Sequence, residues 1–579
     1  MRPSHPVQKM SRRDLLRLLG GLSLATTAAS LAAACQPAPA AAPTSAPKPT
    51  AAPPALTSAP QPAAAPTVAP KPAAAPAAEE EADTRPFVLA DGQDADSLDP
   101  HAVADVAYSH NLQRGPAESL VEYMVKPDGS VDVGPLLAKS WTQENNQVFT
   151  FQLNDGVKFQ DGTPFNAEAV KFNFDRILGL QLTPAGRLPK IAKVEAVSPS
   201  TARFTLEGPS TDFLYPMTQM LMVSPKSIQD HVAENDFGRK WAADNVVGTG
   251  PYGIESRTKG TETVLVKNKD YWRGWQGKHL EKIIVRLVKE PATQKLLLEK
   301  GEAQLVKNVA FTDIDALSKT PGVVVESGQA PGTLHIMFRF RGPLTDVNVR
   351  KAIVHAYDYE GLVKATFRDK ADLPRGFLFS KHPFHDPSVP PMTRDMAKAK
   401  EFLARSAYPN GGFELTVLIL PAFGFYQPAE AQILQDALKE LNIKVNIEQH
   451  ELATYYKSVE DEEKGGDMWA WSGAAQLPDY NFQARRQYHS KFKRPAGVNG
   501  GYSNPRVDAL LEEDQKTIDP NRRKELWFEL QKIVNDELPA VFIATPFQFL
   551  TRREELQGVP LNVYNLVPNY YNAWLKKKP

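Results

Sequence analysis

Hydrophobic and polar positions follow two rhythms through most of the chain. Phe413, Leu415, Val417 and Ile419 recur every second residue, which predicts a strand. Ile433, Ala437, Leu438 and Leu441 then recur at helical spacing, and Ile443, Val445 and Ile447 return to alternation. This is a βαβ pattern, which predicts a parallel strand pair covered by a helix. Ile283 to Val288 predicts a further strand, Pro291 suits a first helical turn, Ala292 to Lys300 reads as a helix and Gly301 as its stop. Val349, Ala352, Ile353 and Ala356 share one face of a helix capped by Asp346, and Asp395 stands likewise ahead of Ala399, Phe402 and Leu403. Asp519-Pro520 opens a helix through Leu526, Leu530 and Ile533. No short repeat period is present, which argues against solenoids and propellers. The predicted class is α/β with several lobes.

The first 84 residues follow neither rhythm. Arg2, Lys9, Arg12, Arg13 and Arg17 precede a weakly apolar run from Leu18 to Ala34, the layout of an export signal. That run is too short for a membrane span, which needs about 20 apolar residues. Ser11-Arg12-Arg13-Asp14-Leu15-Leu16-Arg17 resembles a twin-arginine export signal, with an ordinary secretory signal as the alternative. Leu31-Ala32-Ala33-Ala34-Cys35 resembles a bacterial lipobox, except that Ala32 stands where leucine is usual. Lipidation of Cys35 and its removal with the signal both stay open. From Gln36 to Ala78, 31 of 43 residues are Ala or Pro, so there is almost nothing to bury and the segment reads as a disordered tether. Extended at about 3.1 Å per residue, it reaches on the order of 130 Å. Glu79-Glu80-Glu81 marks its end.

Composition narrows the function classes. The length of 579 residues allows about three to five domains. Lys plus Arg equals Asp plus Glu at 67 each, so no global field gathers nucleic acid. Removing residues 1–34 takes five basic groups and one acid, leaving 62 against 66, a mildly acidic mature protein. A single cysteine excludes an intramolecular disulfide framework and the usual zinc clusters.

No catalytic signature survives its context. Gly248-Thr249-Gly250-Pro251-Tyr252-Gly253 fits G-x-G-x-x-G, but Thr261, Thr263 and Leu265 continue as a strand where a dinucleotide site needs a helix. His382, His385 and Asp386 carry metal-ligating chemistry, yet they sit in a proline-rich loop and read first as hydrogen-bonded loop residues. Neither H-E-x-x-H nor G-x-S-x-G occurs, and Asp461-Glu462-Glu463 reads as a solvated charge run. No cofactor is implied.

Val247-Gly248-Thr249-Gly250-Pro251-Tyr252 followed by Lys267-Asn268-Lys269-Asp270-Tyr271-Trp272 resembles the "GTGPY … NPDYW" signature of family 5 extracellular solute-binding proteins. These are the oligopeptide, dipeptide and nickel receptors of ABC importers. Ser97-Leu98-Asp99-Pro100, Ala138-Lys139-Ser140-Trp141, the run Asp155 to Phe165, Asp346 with Val349-Arg350-Lys351-Ala352, and Asn504-Pro505-Arg506-Val507-Asp508 follow the same family order. The resemblance covers nearly all of the body. It implies a periplasmic-binding-protein-like fold (class II, cluster C), with two α/β lobes on a hinge plus an extra domain. The expected segments are 1–34 signal peptide, 35–84 lipidated cysteine and linker, 85–125, 245–333 and 535–579 domain I, 126–244 domain II, and 334–534 domain III.

The implied function is capture of a solute between lobes and delivery to an ABC permease with its ATPase subunits, by a lipid-anchored monomer on the outer face of the membrane or in the periplasm. An exported hydrolase of sugars or peptides, and a sensor partner with the same fold, are the alternatives. Peptide-binding relatives hold the ligand ammonium with an aspartate after a "W-T-G" segment; Trp471-Ser472-Gly473 aligns there and puts Ala474 in its place. A buried ammonium without a partner is costly. The expected ligand residues are therefore Tyr108, Trp469, Trp471, Ala474, Asp479 and Tyr480, whose aromatic faces suit an oligosaccharide, with a peptide held by its backbone as the competing ligand.

Overall fold

A computed structural model describes residues 81–103, 111–126, 131–182, 184–421, 424, 426–472, 478–492, 498–564 and 569–577. The predicted export signal, Cys35 and the tether lie outside these residues, as do Tyr108 and Ala474. Among the described residues, no helix is long and apolar enough to cross a membrane.

The predicted periodicities become elements. Strands Phe413–Ile419 and Ile443–Gln449 pair in parallel around the helix Gln427–Lys439. The side chain of Asp346 accepts from the Asn348 amide, Asp395 from Lys398 and Asp519 from Asn521, so all three act as N-caps. Pro291 opens the helix that ends at Lys300. Arg350, in the motif beginning at Asp346, donates from Nε and Nη2 to the Glu537 carbonyl and from Nη1 to the carbonyls of Leu344 and Thr345. It thereby neutralises the C-terminal end of the helix Pro520–Glu537.

Three large apolar cores organise the body. One gathers Leu120, Phe149, Phe151, Phe174, Phe204 and Met217, where the sheet of strands Ala138–Glu144, Val148–Leu153, Thr201–Leu206 and Ile191–Ser198 meets the helix Ala167–Leu180. A second joins Phe87, Leu89, Tyr252 and Leu265 to Leu550, Tyr570 and Leu575, bringing the first and last of the described strands into one core. The third runs from Leu334 through Ala544. We call the segments around these cores the second, first and third lobes respectively.

One sheet links the first and third lobes. Its strands lie in the order Tyr252–Thr258, Glu262–Lys267, Lys282–Leu287, Phe87–Asp91, Leu305–Val306, Ala540–Arg553, Leu334–Phe338, Met468–Ser472, Phe413–Ile419, Ile443–Gln449. Ala540–Arg553 belongs to both lobes: residues 540–544 pair with Leu334–Met337, and residues 547–553 pair with Val323–Gln329. Chain crosses between the lobes along this strand and at 330–333, where the Ala330 amide donates to the Pro546 carbonyl. Two adjacent backbone crossings of this kind make a hinge.

Candidate functional site

The sequence motifs prove to be the joints that hold the first lobe in shape. Glu118 is buried, and its carboxylate accepts three hydrogen bonds: Tyr271 Oη at 2.6 Å, Thr249 Oγ1 at 2.8 Å and Trp272 Nε1 at 2.9 Å. Burial pushes Glu118 up to about 7 despite those three donors. The flanking glycines are required by contact. A Cβ on Gly248 would lie 2.3 Å from the Pro116 carbonyl oxygen, and one on Gly250 would lie 2.3 Å from that of Gly115. No helix follows these glycines; the chain enters the hairpin Tyr252–Thr258 and Glu262–Lys267.

Asp99, in the early motif, forms a two-pronged ion pair with Arg176 on the helix Ala167–Leu180, with contacts of 2.8 and 2.5 Å. Both side chains are almost wholly buried. His101 completes the joint: its Nε2 donates to the Leu221 carbonyl at 2.9 Å, leaving Nδ1 to accept from Arg176 Nη1. Burial, aided by the Arg176 charge, drives His101 down to about 4, so it stays neutral in this role.

Beside Glu118, where the first lobe meets the second, lies a cavity of about 280 Å³. Its walls come from 114–125, from Pro251, Tyr271 and Arg273, and from 558–562 and 569–572, with Leu136 at one edge. Arg114 donates from Nη2 to the Thr218 carbonyl of the second lobe at 2.8 Å, while its Nε is enclosed without a partner. Arg273 lies 3.9 Å from Glu122 and rests 4.5 Å over the ring of Tyr571. Burial raises Glu122 above the usual carboxylate range and lowers Arg114 below the usual guanidinium range.

The third lobe approaches this region. Asp212 of the second lobe is buried 3.7 Å from Arg485 of the third. The charge of Asp479 is felt by Asp212, by Tyr215 and by Tyr564, which places the three lobes at one junction. Parallel strands Phe413–Ile419, Ile443–Gln449 and Met468–Ser472 present their carboxyl ends along one edge. Such an edge is where open α/β sheets receive ligands.

The expected ligand residues separate on inspection. Trp469 is fully buried in the third core beneath Arg339, whose guanidinium lies 5.4 Å from its ring. Tyr480 is fully buried among Phe377, Phe379, His382 and Trp527. Both rings are fully buried in this structure, Trp469 against Arg339 and Tyr480 within an aromatic cluster. Asp479 is already engaged: Oδ1 accepts from the Asn481 amide at 2.9 Å and Oδ2 from Arg523 Nη2 at 2.8 Å, so it braces the helix Asn481–Tyr488. Trp471 is half-buried at the end of its strand, with an enclosed and unpartnered Nε1. It sits opposite His335, whose two ring nitrogens also lack partners and which burial drives to about 3, hence neutral. His382 is buried too, with Nδ1 accepting from the Phe384 amide.

Sequence reasoning did not single out Arg114, Glu118, Glu122 or Asp212. Arg273 carried one available signal, its place directly after Tyr271-Trp272.

Comparison with known proteins bears on the same region. Residues 132–491 match the model of the middle part of bacterial extracellular solute-binding proteins, family 5. The chain is 30% identical over 487 residues to the probable D,D-dipeptide-binding periplasmic protein DdpA of Escherichia coli K12, covering 82% of this chain and 91% of that protein. It is 28% identical over 472 residues to the glutathione-binding protein GsiB of the same strain, covering 79% and 88%. Among solved structures it resembles the periplasmic binding protein DppA of Helicobacter pylori in complex with the peptide STSA. There the TM-score is 0.73 at 25% identity, over 86% of this chain and 99% of that one.

Proposed function

The chain belongs to the family 5 extracellular solute-binding proteins, the receptors of ABC importers, and from that premise we propose that it captures a short peptide or peptide-derived solute where its lobes meet. The observation that carries this reading is the cavity between the first and second lobes, to which arginine, glutamate, asparagine and tyrosine side chains contribute. Peptide groups need donors and acceptors in a shielded place, and the cavity supplies both. An oligosaccharide has less to stack on, because Trp469 and Tyr480 are core residues and only Trp471 of the three keeps an accessible part. Closure of the lobes about the strand Ala540–Arg553 would report occupancy to a permease and its ATPase subunits. The same proposal includes export, a lipid anchor at Cys35 and a monomer working on a tether of Ala and Pro.

Calorimetric titration of the purified chain tests the ligand class. Di- to tetrapeptides should bind with micromolar affinity or better, and α- and β-linked oligosaccharides should give no saturable heat. Trp471→Ala should weaken peptide binding about tenfold, the equivalent of about 1.4 kcal/mol for a lost aromatic contact. Saturable binding of an oligosaccharide with none of the peptides would overturn the proposal.

A further inference from the structure

The second-lobe core ends at Met222 and the third-lobe core begins at Leu334, with first-lobe strands between them in the chain, so these two lobes meet non-covalently. Asp212 brings a buried carboxylate to that meeting. Its Oδ1 accepts from Ser210 Oγ, while its Oδ2 stands 3.7 Å from Arg485 Nη2 of the third lobe, beyond hydrogen-bond reach. Arg485 is occupied elsewhere. With the amide oxygen of Gln515 turned toward it, two of its nitrogens donate there at 2.8 and 3.1 Å, and its guanidinium lies 5.6 Å from the Phe492 ring. Arg523 already serves two carboxylates of the third lobe, Asp479 and Asp514. The junction therefore sets Asp212, Asp479 and Asp514 against two guanidinium groups. Burial raises Asp212 above the usual carboxylate range; Arg485 opposes the rise and Asp479 adds to it. The other titratable groups that feel this cluster hold one state. Burial keeps Tyr215 and Tyr564 protonated and drives His382 down to about 3, hence neutral. Asp514 is raised by burial as well, but it sits inside the third lobe with Arg523, Asn481 and Trp527.

We propose that Asp212 is a proton-linked switch on lobe closure: it enters the junction of the second and third lobes most readily as the neutral acid, so acid favours the closed receptor. The inference rests on the reading that the lobes close about the strand Ala540–Arg553, and it adds a control on that motion. Parting the lobes takes Arg485 and Asp479 away from Asp212 and lets water in, which returns the carboxyl toward its ordinary value of 3.8. Closure then takes up a proton. The help that this gives the closed form is present in full below 3.8 and is lost as pH rises through the raised value of the closed state. One linked proton changes the closed-to-open ratio by at most about tenfold per pH unit. Because a solute is held by the closed form, its apparent affinity follows the same ratio.

Spin labels on Lys190→Cys and Lys444→Cys, exposed positions of the second and third lobes, report the distance between the lobes without any ligand. The chain has one cysteine of its own, so Cys35→Ser leaves only the labelled pair. Pulsed dipolar spectroscopy from pH 8 to pH 4.5 reads the share of chains at the shorter distance. The closed-to-open ratio should rise on the order of tenfold across that range. Asp212→Asn keeps an acceptor for Ser210 and cannot ionise, so it should hold the acid share at every pH. Arg485→Gln removes the cation that opposes the rise, so it should move the transition to higher pH, and it keeps the test decisive if Asp212→Asn misfolds. A share that is constant with pH while Ala-Ala-Ala still raises it overturns the switch and leaves the peptide receptor standing. A share that neither acid nor Ala-Ala-Ala alters overturns the switch and the closing receptor together. An equal pH response in Asp212→Asn assigns the effect to another group and overturns the proposal, as does a share that falls on acidification, which would show that the attraction of Arg485 outweighs burial.

Discussion

Replacing Asp99 with alanine should lower the unfolding free energy by about 3–5 kcal/mol, because it leaves the Arg176 guanidinium buried without a counter-charge. The arginine would keep only its bond from Nε to the Phe237 carbonyl and its contact with His101. His101 would then face an uncompensated cation at its Nδ1. Denaturant unfolding followed by tryptophan fluorescence measures the loss. The double variant Asp99→Leu with Arg176→Met should recover most of it, since well-packed apolar residues often replace a buried ion pair at little cost. A loss below about 1 kcal/mol, the level of a surface pair, would show that Asp99 and Arg176 are not buried together in solution.

The second large effect concerns Glu118. Glu118→Ala orphans Thr249 Oγ1, Tyr271 Oη and Trp272 Nε1 together, at about 1–3 kcal/mol for each buried group left unsatisfied, so partial unfolding at 37 °C is the expected outcome. A pH profile gives the finer signature. The carboxyl is raised in the folded state to about 7 from an unfolded value of 4.5, so the folded state holds the proton more tightly. Its contribution is fully present below pH 4.5 and is lost as pH rises through about 7, a fall of about 3 kcal/mol across that window at 1.36 kcal/mol per unit. Glu118→Gln, neutral like the protonated carboxyl, should abolish this slope: close to wild type at pH 4.5, it should exceed wild type by up to about 3 kcal/mol at pH 8. Parallel wild-type and Glu118→Gln stability curves between pH 4.5 and 7 would contradict the assignment.

What the sequence shows and what it hides divide along a physical line. Local signals were legible. The caps Asp346, Asp395 and Asp519, the βαβ unit 413–449 and the strand after Gly253 all depend on residues within a few positions of one another. The family motifs were legible as well, but their work was not. Glu118 meets Thr249, Tyr271 and Trp272 across 131 to 154 positions, and a lone glutamate between Ala117 and Ser119 carries no mark of that meeting.

The candidate site was the least legible part, because its walls come from three segments far apart in the chain. Arg114, Glu122 and Arg273 are ordinary charged residues until the fold gathers them beside 558–562 and 569–572. The aromatic candidates take different places in the fold. Trp469 and Trp471 share one face of the strand Met468–Ser472, so position along it separates them: Trp469 is buried, Trp471 is half-buried near the carboxyl end, and Tyr480 is buried ahead of the helix Asn481–Tyr488. The strand Ala540–Arg553 passes from one lobe to another near Pro546, and the proline is the local mark of that place, though nothing near it names the two partners.

The central claim is that the chain binds a peptide-like solute between its lobes and leaves it unchanged. Equilibrium dialysis of the purified protein against radiolabelled Ala-Ala-Ala, followed by denaturation and chromatography of what it retained, tests this most directly. The expected result is saturable retention of one peptide per chain, all of it recovered intact. Retention of none, or recovery of the label as free alanine or shorter fragments, would contradict it.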